Sequence, residues 1–149
     1  MFFEKKLKER FMKKINAIDS FEMGGLVSGF KQHVLLPQVA ECYVTDSDFI
    51  MMNDEKKEYG RISRDSVSSV CIEDHTNLAE RLANKGVLTM GAFSLAAQTH
   101  ERVDDFYLSV NWHNENTDEE AIFNFTGKIG NESAVNAESM LNKYIINNS

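Results

Sequence analysis

The sequence predicts an α+β domain, an antiparallel barrel or sandwich of about six to seven short strands with a capping C-terminal helix and an added N-terminal helix. Three observations carry this. In the last third, Phe106, Leu108, Val110 and Trp112 alternate with polar residues, Ala121, Phe123 and Phe125 repeat that period, and a helical pattern follows from Asn131 or Ser133 to about Asn147. From Val39 to Glu73, short alternating runs recur between polar turns. At the start, Phe3, Leu7, Phe11 and Ile15 repeat at i+4, as on one stripe of a helix.

Taken in order, residues 2 to about 18 read as a helix, with Phe2 and Ile18 flanking the stripe and lysines elsewhere. Asp19–Gly29 contains Gly24, Gly25 and Gly29 and reads as a loop or hinge. Pro37 disfavours helix before it and directs the chain into an extended run. Strands are expected at Ala40–Val44, Phe49–Met52 and Glu58–Ser63. Another is expected at Val67–Glu73, with Ser68, Val70 and Ile72 facing one way. His113–Glu120 reads as a polar turn. In the stretch after Asp74, Asn77 or Thr76 would open a short helix through Leu78, Ala79, Leu82 and Ala83. The tract Gly86–Ala97 fits either a second helix or an apolar hairpin. About 29 structureless residues from Asp74 to Arg102 would be abnormal in a compact domain, so most of that stretch is expected to be ordered. The last helix would bury Ala134, Ala137, Met140, Leu141, Tyr144 and Ile145.

The chain has 149 residues, enough for one domain with a core that needs no disulfide or metal. Its 42% apolar and 26% charged residues place it among globular rather than disordered chains. No apolar run approaches the roughly 20 residues of a membrane span, and the N-terminus lacks the apolar core of a secretion signal. A cytoplasmic location is the expectation. Cys42 and Cys71 both fall in predicted strands and are expected as buried thiols. Net charge is −7 and unevenly spread. Residues 1–14 carry Lys5, Lys6, Lys8, Arg10, Lys13 and Lys14 against Glu4 and Glu9, a surplus of four positive charges, so the remainder carries −11. An acidic body repels phosphates, which argues against a nucleic-acid partner.

Residues 33–147 resemble the small pleckstrin-homology-like (PH-like, GRAM-like) domains of Gram-positive bacteria and their mobile elements. The pieces that carry the resemblance are His33-Val34-Leu35-Leu36-Pro37, the Cys42 strand, the Thr45–Ile50 hairpin and the run from Arg64 to Ile72. The Gly/Ala-containing insert at 86–97 and the pair Tyr107–Trp112 with Ile122–Phe125 complete it. The division implied is an amphipathic basic helix at 1–19, then a domain at 33–149 with an insert at about 74–101. The resemblance implies a non-enzymatic scaffold that docks lipid, peptide or protein. Its phosphoinositide-binding members carry basic residues in and just after the first hairpin. Thr45-Asp46-Ser47-Asp48 is acidic at the position matched to it, which argues against inositol phosphates there. Arg61 and Arg64, beside Asp65, read as solvated surface.

No phosphate-binding glycine loop and no Gly-x-Ser-x-Gly elbow is present. His33, His75, His100 and His113 are scattered; Glu73, Asp74 and His75 with His100 and Glu101 would be the best cation-binding group, but they read better as polar loop ends. No carboxyl is marked for acid–base work, so no catalytic residue, metal or cofactor is assigned. The candidate binding residues are Phe2, Phe3, Lys5, Lys6, Leu7, Lys8, Arg10 and Phe11, an aromatic and basic helix face. The expected function is an interaction module for a protein partner, with peripheral contact to anionic membrane or self-association as further roles for that helix. The rival from another class is a small acidic inhibitor, borne by a phage or mobile element, that blocks a basic site on a host protein.

Overall fold

Seven strands and three helices make up the fold, which a computed structural model describes over residues 2–30, 32–84, 106–126 and 130–146, with the side chains of 2, 32–38, 83 and 84 outside that description. Helix α1 (Phe2–Lys14) precedes β1 (Asp19–Gly29), β2 (Gln32–Val44), β3 (Asp48–Met52), β4 (Glu58–Ser63) and β5 (Val67–Asp74). Helix α2 (His75–Asn84), β6 (Phe106–Asn114), β7 (Thr117–Phe125) and helix α3 (Gly130–Tyr144) follow. All pairings are antiparallel, in the order β4-β3-β2-β1-β7-β6-β5. Two meanders thus join through β1 and β7 into one sheet, with a helix at either end of the chain. The α+β class expected from the sequence holds.

The sheet curls. Its edge strands β4 and β5 are linked by residues 64–66 alone, and the four steps from Ser63 to Val67 reach no more than about 14 Å. Phe30 shows how closely the layers face each other: its ring stacks on Trp112 of β6 (5.3 Å between centroids) and lies against Gly60 of β4. A Cβ at Gly60 would stand 2.4 Å from that ring, so glycine is required by the approach. The enclosed core gathers Met23, Leu26, Cys42, Phe49, Met51 and Ile62 from the first meander. Leu108, Val110, Phe123 and Phe125 come from the second, and Ala134, Ala137 and Leu141 of α3 close the open side. Burial of this apolar surface is the main stabilising term.

The largest departure from expectation is Asp19–Gly29. Read as a loop, it is β1, the central strand, so the sheet begins well before residue 33. Two irregularities, at Glu22/Gly24 and Leu26/Ser28, break the alternation that would have marked it. Its glycines serve close approach: Gly24 has φ +77°, and a Cβ there would stand 2.5 Å from the Asn124 carbonyl oxygen of β7. The β2 ladder jumps from Gln38 to His33 opposite the second irregularity, leaving Pro37, which has no N–H to donate, outside the paired register.

Smaller corrections follow the same logic. A bulge between Val67 and Ser69 leaves Ser68 exposed and packs Val67, Val70 and Ile72 on the core. It is followed by Cys71 on the exposed side, so only Cys42 is the buried thiol expected. Asp118, Glu119 and Glu120 belong to β7 and pair with His113, Trp112 and Asn111, because the hairpin turns at Glu115–Asn116. Helix α2 is opened by neither Thr76 nor Asn77 but by Asp74, whose Oδ1 accepts the Asn77 N–H at 2.7 Å. The tract 86–97 lies outside the described residues.

Candidate functional site

The outer face of the sheet carries two helices. Strand alternation turns Tyr43, Ile50 and Met52 of β2 and β3 away from the core, where Phe11, Met12, Ile15 and Ala17 pack on them. Phe11 meets Tyr43 edge to face at 5.3 Å. Beside this contact, Glu41 receives Lys8 at 3.4 Å and Lys56 at 3.1 Å, and the Tyr43 hydroxyl donates to it at 3.4 Å. Lys56 also lies over the rings of Phe11 and Tyr43. Burial alone would raise the Glu41 carboxyl, but Lys56 and then Lys8 outweigh it and hold the pKa below the ordinary value. Lys56 is held above its ordinary value: burial opposes this, and hydrogen bonding with Tyr43 and Glu41 prevails.

Helix α1 stops at Lys14, not at residue 18, for a local reason. Asn16 adopts φ 62°, its N–H bonds the Lys13 carbonyl at 3.2 Å, and the Ala17 N–H bonds that of Met12 at 2.8 Å. This is a Schellman ending with asparagine in the left-handed position, and its hydrophobic contact is Met12 and Ala17 on the same patch. The Ile18 N–H then bonds the Val44 carbonyl at 2.7 Å, so the helix leaves the sheet at a set angle.

That angle divides the predicted residues. Lys8 and Phe11 are engaged by the sheet. Phe3 (72% exposed), Leu7 (48%), Lys5, Lys6 and Arg10 face outward, and the Phe2 side chain is outside the described residues. An i,i+4 row drifts about 40° per step around a helix, so a stripe beginning at Phe3 reaches the sheet only at Phe11 and Ile15. Ile18 lies past the helix and is also exposed.

Helix α2 lies over the other half of the outer face. Leu78 and Leu82 are buried on Val27, Tyr107 and Ile122. At its flank Arg81 forms a bidentate pair with Glu73 (2.7 and 3.0 Å), bridges Glu120 at 2.9 Å and reaches Ser109 Oγ at 3.1 Å. Hydrogen bonding to Glu73 foremost, against a smaller burial effect, raises the guanidinium pKa further. Glu73 and Asp74 are therefore committed to Arg81 and to the helix cap, and His75 is buried beside Tyr107. His100 and Glu101 fall outside the described residues. Among the described residues no three His, Cys, Asp or Glu side chains are placed to hold a metal ion.

Arg64 is the residue that sequence reasoning misjudged most. Its guanidinium donates to the carbonyls of Tyr144 (2.7 Å), Thr45 (2.9 Å) and Asp46 (2.9 Å), and the Ile146 N–H bonds its own carbonyl. It ties the end of α3 to the β2–β3 turn; only Arg61, paired with Glu58 and Asp48, is the exposed arginine expected. The acidic Thr45–Asp48 turn is also not the first hairpin but the second, because β1 and β2 turn first at Phe30. Burial, with Asp19 adding to it, pushes the Cys42 thiol well up.

Open grooves run between α3 and β1, lined by Phe21, Glu22, Glu132 and Met140, and beside the end of α1, lined by Ile15, Asp48, Ile50 and Arg61. Among the described residues no helix is long and apolar enough to cross a membrane. No family model matches the chain, and comparison with curated proteins and with solved structures returns no match.

Proposed function

We propose that this chain is a non-enzymatic docking module of the pleckstrin-homology-like kind, whose contact element is the outward-facing first half of α1. The observation that supports this reading is the split of one apolar stripe. Phe11 and Ile15 are spent on the sheet, while Phe3 and Leu7 stand exposed among cations on a helix whose exit angle is fixed. An isolated exposed leucine is ordinary, whereas two large apolar residues one turn apart on a held helix offer a paired apolar surface to a partner. The sandwich is then a scaffold, and catalysis has no part in the reading.

The test is neutral as to partner. Diffusion of the fluorescently tagged full chain is measured in host cells beside a Phe3→Ser/Leu7→Ser variant. Slower diffusion of the unaltered chain than of the variant is expected. Equal, free diffusion of both sinks the docking role.

A further inference from the structure

We infer that the occupant of the exposed half of α1 is the surface of an anionic lipid bilayer, an inference that rests on the docking role just proposed. Charge is the first argument. Residues 1–14 hold a surplus of four positive charges, whereas the rest of the chain carries −11. Within that surplus Lys8 is paired with Glu41, and Lys5, Lys6, Arg10, Lys13 and Lys14 are exposed beside the exposed Glu4 and Glu9, so among the described residues the helix is the part whose charge favours a negative surface. The neighbouring β3–β4 turn is close to neutral, since Lys56 and Lys57 are offset by Asp54 and Glu55.

Apolar geometry separates a bilayer from other anionic partners. Phosphate recognition on nucleic acid has no use for Phe3 and Leu7. A protein groove reads an amphipathic helix at i, i+3/i+4 and i+7, over two turns or more. Here the row is interrupted: after Leu7 its next members, Phe11 and Ile15, face Tyr43 and Ile50. Among the described side chains of the helix one outward apolar pair, Phe3 and Leu7, is left, shorter than the two turns a groove reads. It suits a lipid interface, where a single turn enters among headgroups while flanking cations stay at the phosphate level.

The direction of approach follows. The Schellman ending at Asn16 and the Ile18–Val44 hydrogen bond hold α1 against β2, so the helix tip meets the surface while the acidic body stays behind it. Binding should be weak and graded with anionic lipid content, because a short wedge and a few cations act together.

The experiment uses the full chain in vesicle co-sedimentation, with pure phosphatidylcholine against mixtures containing phosphatidylglycerol. Sedimentation only with the anionic vesicles is expected. It should fall at least about tenfold from about 0.1 to about 1 M salt, where the Debye length shrinks from about 10 to about 3 Å. Phe3→Ser and Leu7→Ser should each lower it several-fold while leaving the far-ultraviolet spectrum unchanged. In a Phe3→Trp variant, the added indole should be quenched by lipids brominated on the acyl chains. Equal binding to both vesicle types, or none to either by a folded chain, overturns the lipid assignment. If binding is absent but diffusion in cells still depends on Phe3 and Leu7, the docking role stands with a protein or a second copy as occupant. If neither is seen, both readings fall.

Discussion

The two helices on the outer face of the sheet meet it in opposite ways. Helix α2 puts Leu78 and Leu82 at full burial against Val27, Tyr107 and Ile122, and its one cation, Arg81, is held by two carboxylates. Helix α1 puts only its last turns down, through partly buried Phe11, Met12 and Ile15, and leaves Phe3 and Leu7 in water. Both are amphipathic helices on one surface, so the difference is one of commitment. Helix α2 spends its leucines on the sheet. Helix α1 keeps part of its apolar stripe exposed, and that part is the contact element proposed above.

The comparison can be broken by truncation, and the largest effect should come from α2. Leu82→Ala is expected to cost about 2–5 kcal/mol, since it opens a cavity at a fully buried site. Phe11→Ala should cost less, about 1–2 kcal/mol, because its ring is only partly buried. Denaturant unfolding of both variants measures this, and a reversed order would mean that α1, not α2, is the structural helix.

Arg81→Met sharpens the contrast in charge. It leaves Glu73 and Glu120 without their shared cation at about a fifth exposure or less, and about 1–3 kcal/mol should be lost. Removing Lys8 by Lys8→Met should cost below about 1 kcal/mol, because that ammonium is far more exposed and Glu41 keeps Lys56. Thermal or denaturant unfolding at moderate salt distinguishes the two; equal costs would put the two ion clusters on the same footing.

The smallest expected effect is acid loosening of α1. The Glu41 pKa is lowered in the folded state, so its contribution is present above the unfolded value of about 4.3 and is lost as pH falls through the lower folded value. Amide exchange across α1 should accelerate below about pH 4 in the unaltered chain more than in a Glu41→Gln variant. Identical acid profiles would show that apolar contacts alone dock the helix.

Much of this fold was legible in the sequence, and the failures share a cause. β3, β4 and the closing hairpin declare themselves because each is a short apolar or alternating run between polar turns, and regular pairing sends alternate residues to two faces, Phe49 and Met51 to the core and Ile50 and Met52 to α1. β1 is hidden because its two irregularities put Leu26, Val27 and Ser28 in burial one after another, and because its glycines answer a neighbouring backbone rather than a turn. For the candidate site, the stripe from Phe3 to Ile15 was visible. Which end docks was not, since that depends on Tyr43, Ile50 and Met52, about thirty residues away or more, and on the exit angle that Asn16 sets. Arg64 looked like surface because an arginine beside Asp65 suggests an ion pair, whereas its partners are three backbone carbonyls.

The position of β1 also has a consequence for how the protein comes into being. Its partner on one side, β2, is the next segment of chain, but on the other side it pairs Gly25 with Asn124 of β7. A growing chain therefore presents its first strand as a raw edge for as long as about a hundred further residues take to emerge, and that edge is the one where glycines leave the backbone bare. The seam must close late, across a long loop, which slows folding relative to a helical protein of this size. Until it closes, the glycine-lined edge is where an unfinished copy is most open to pairing with the wrong strand.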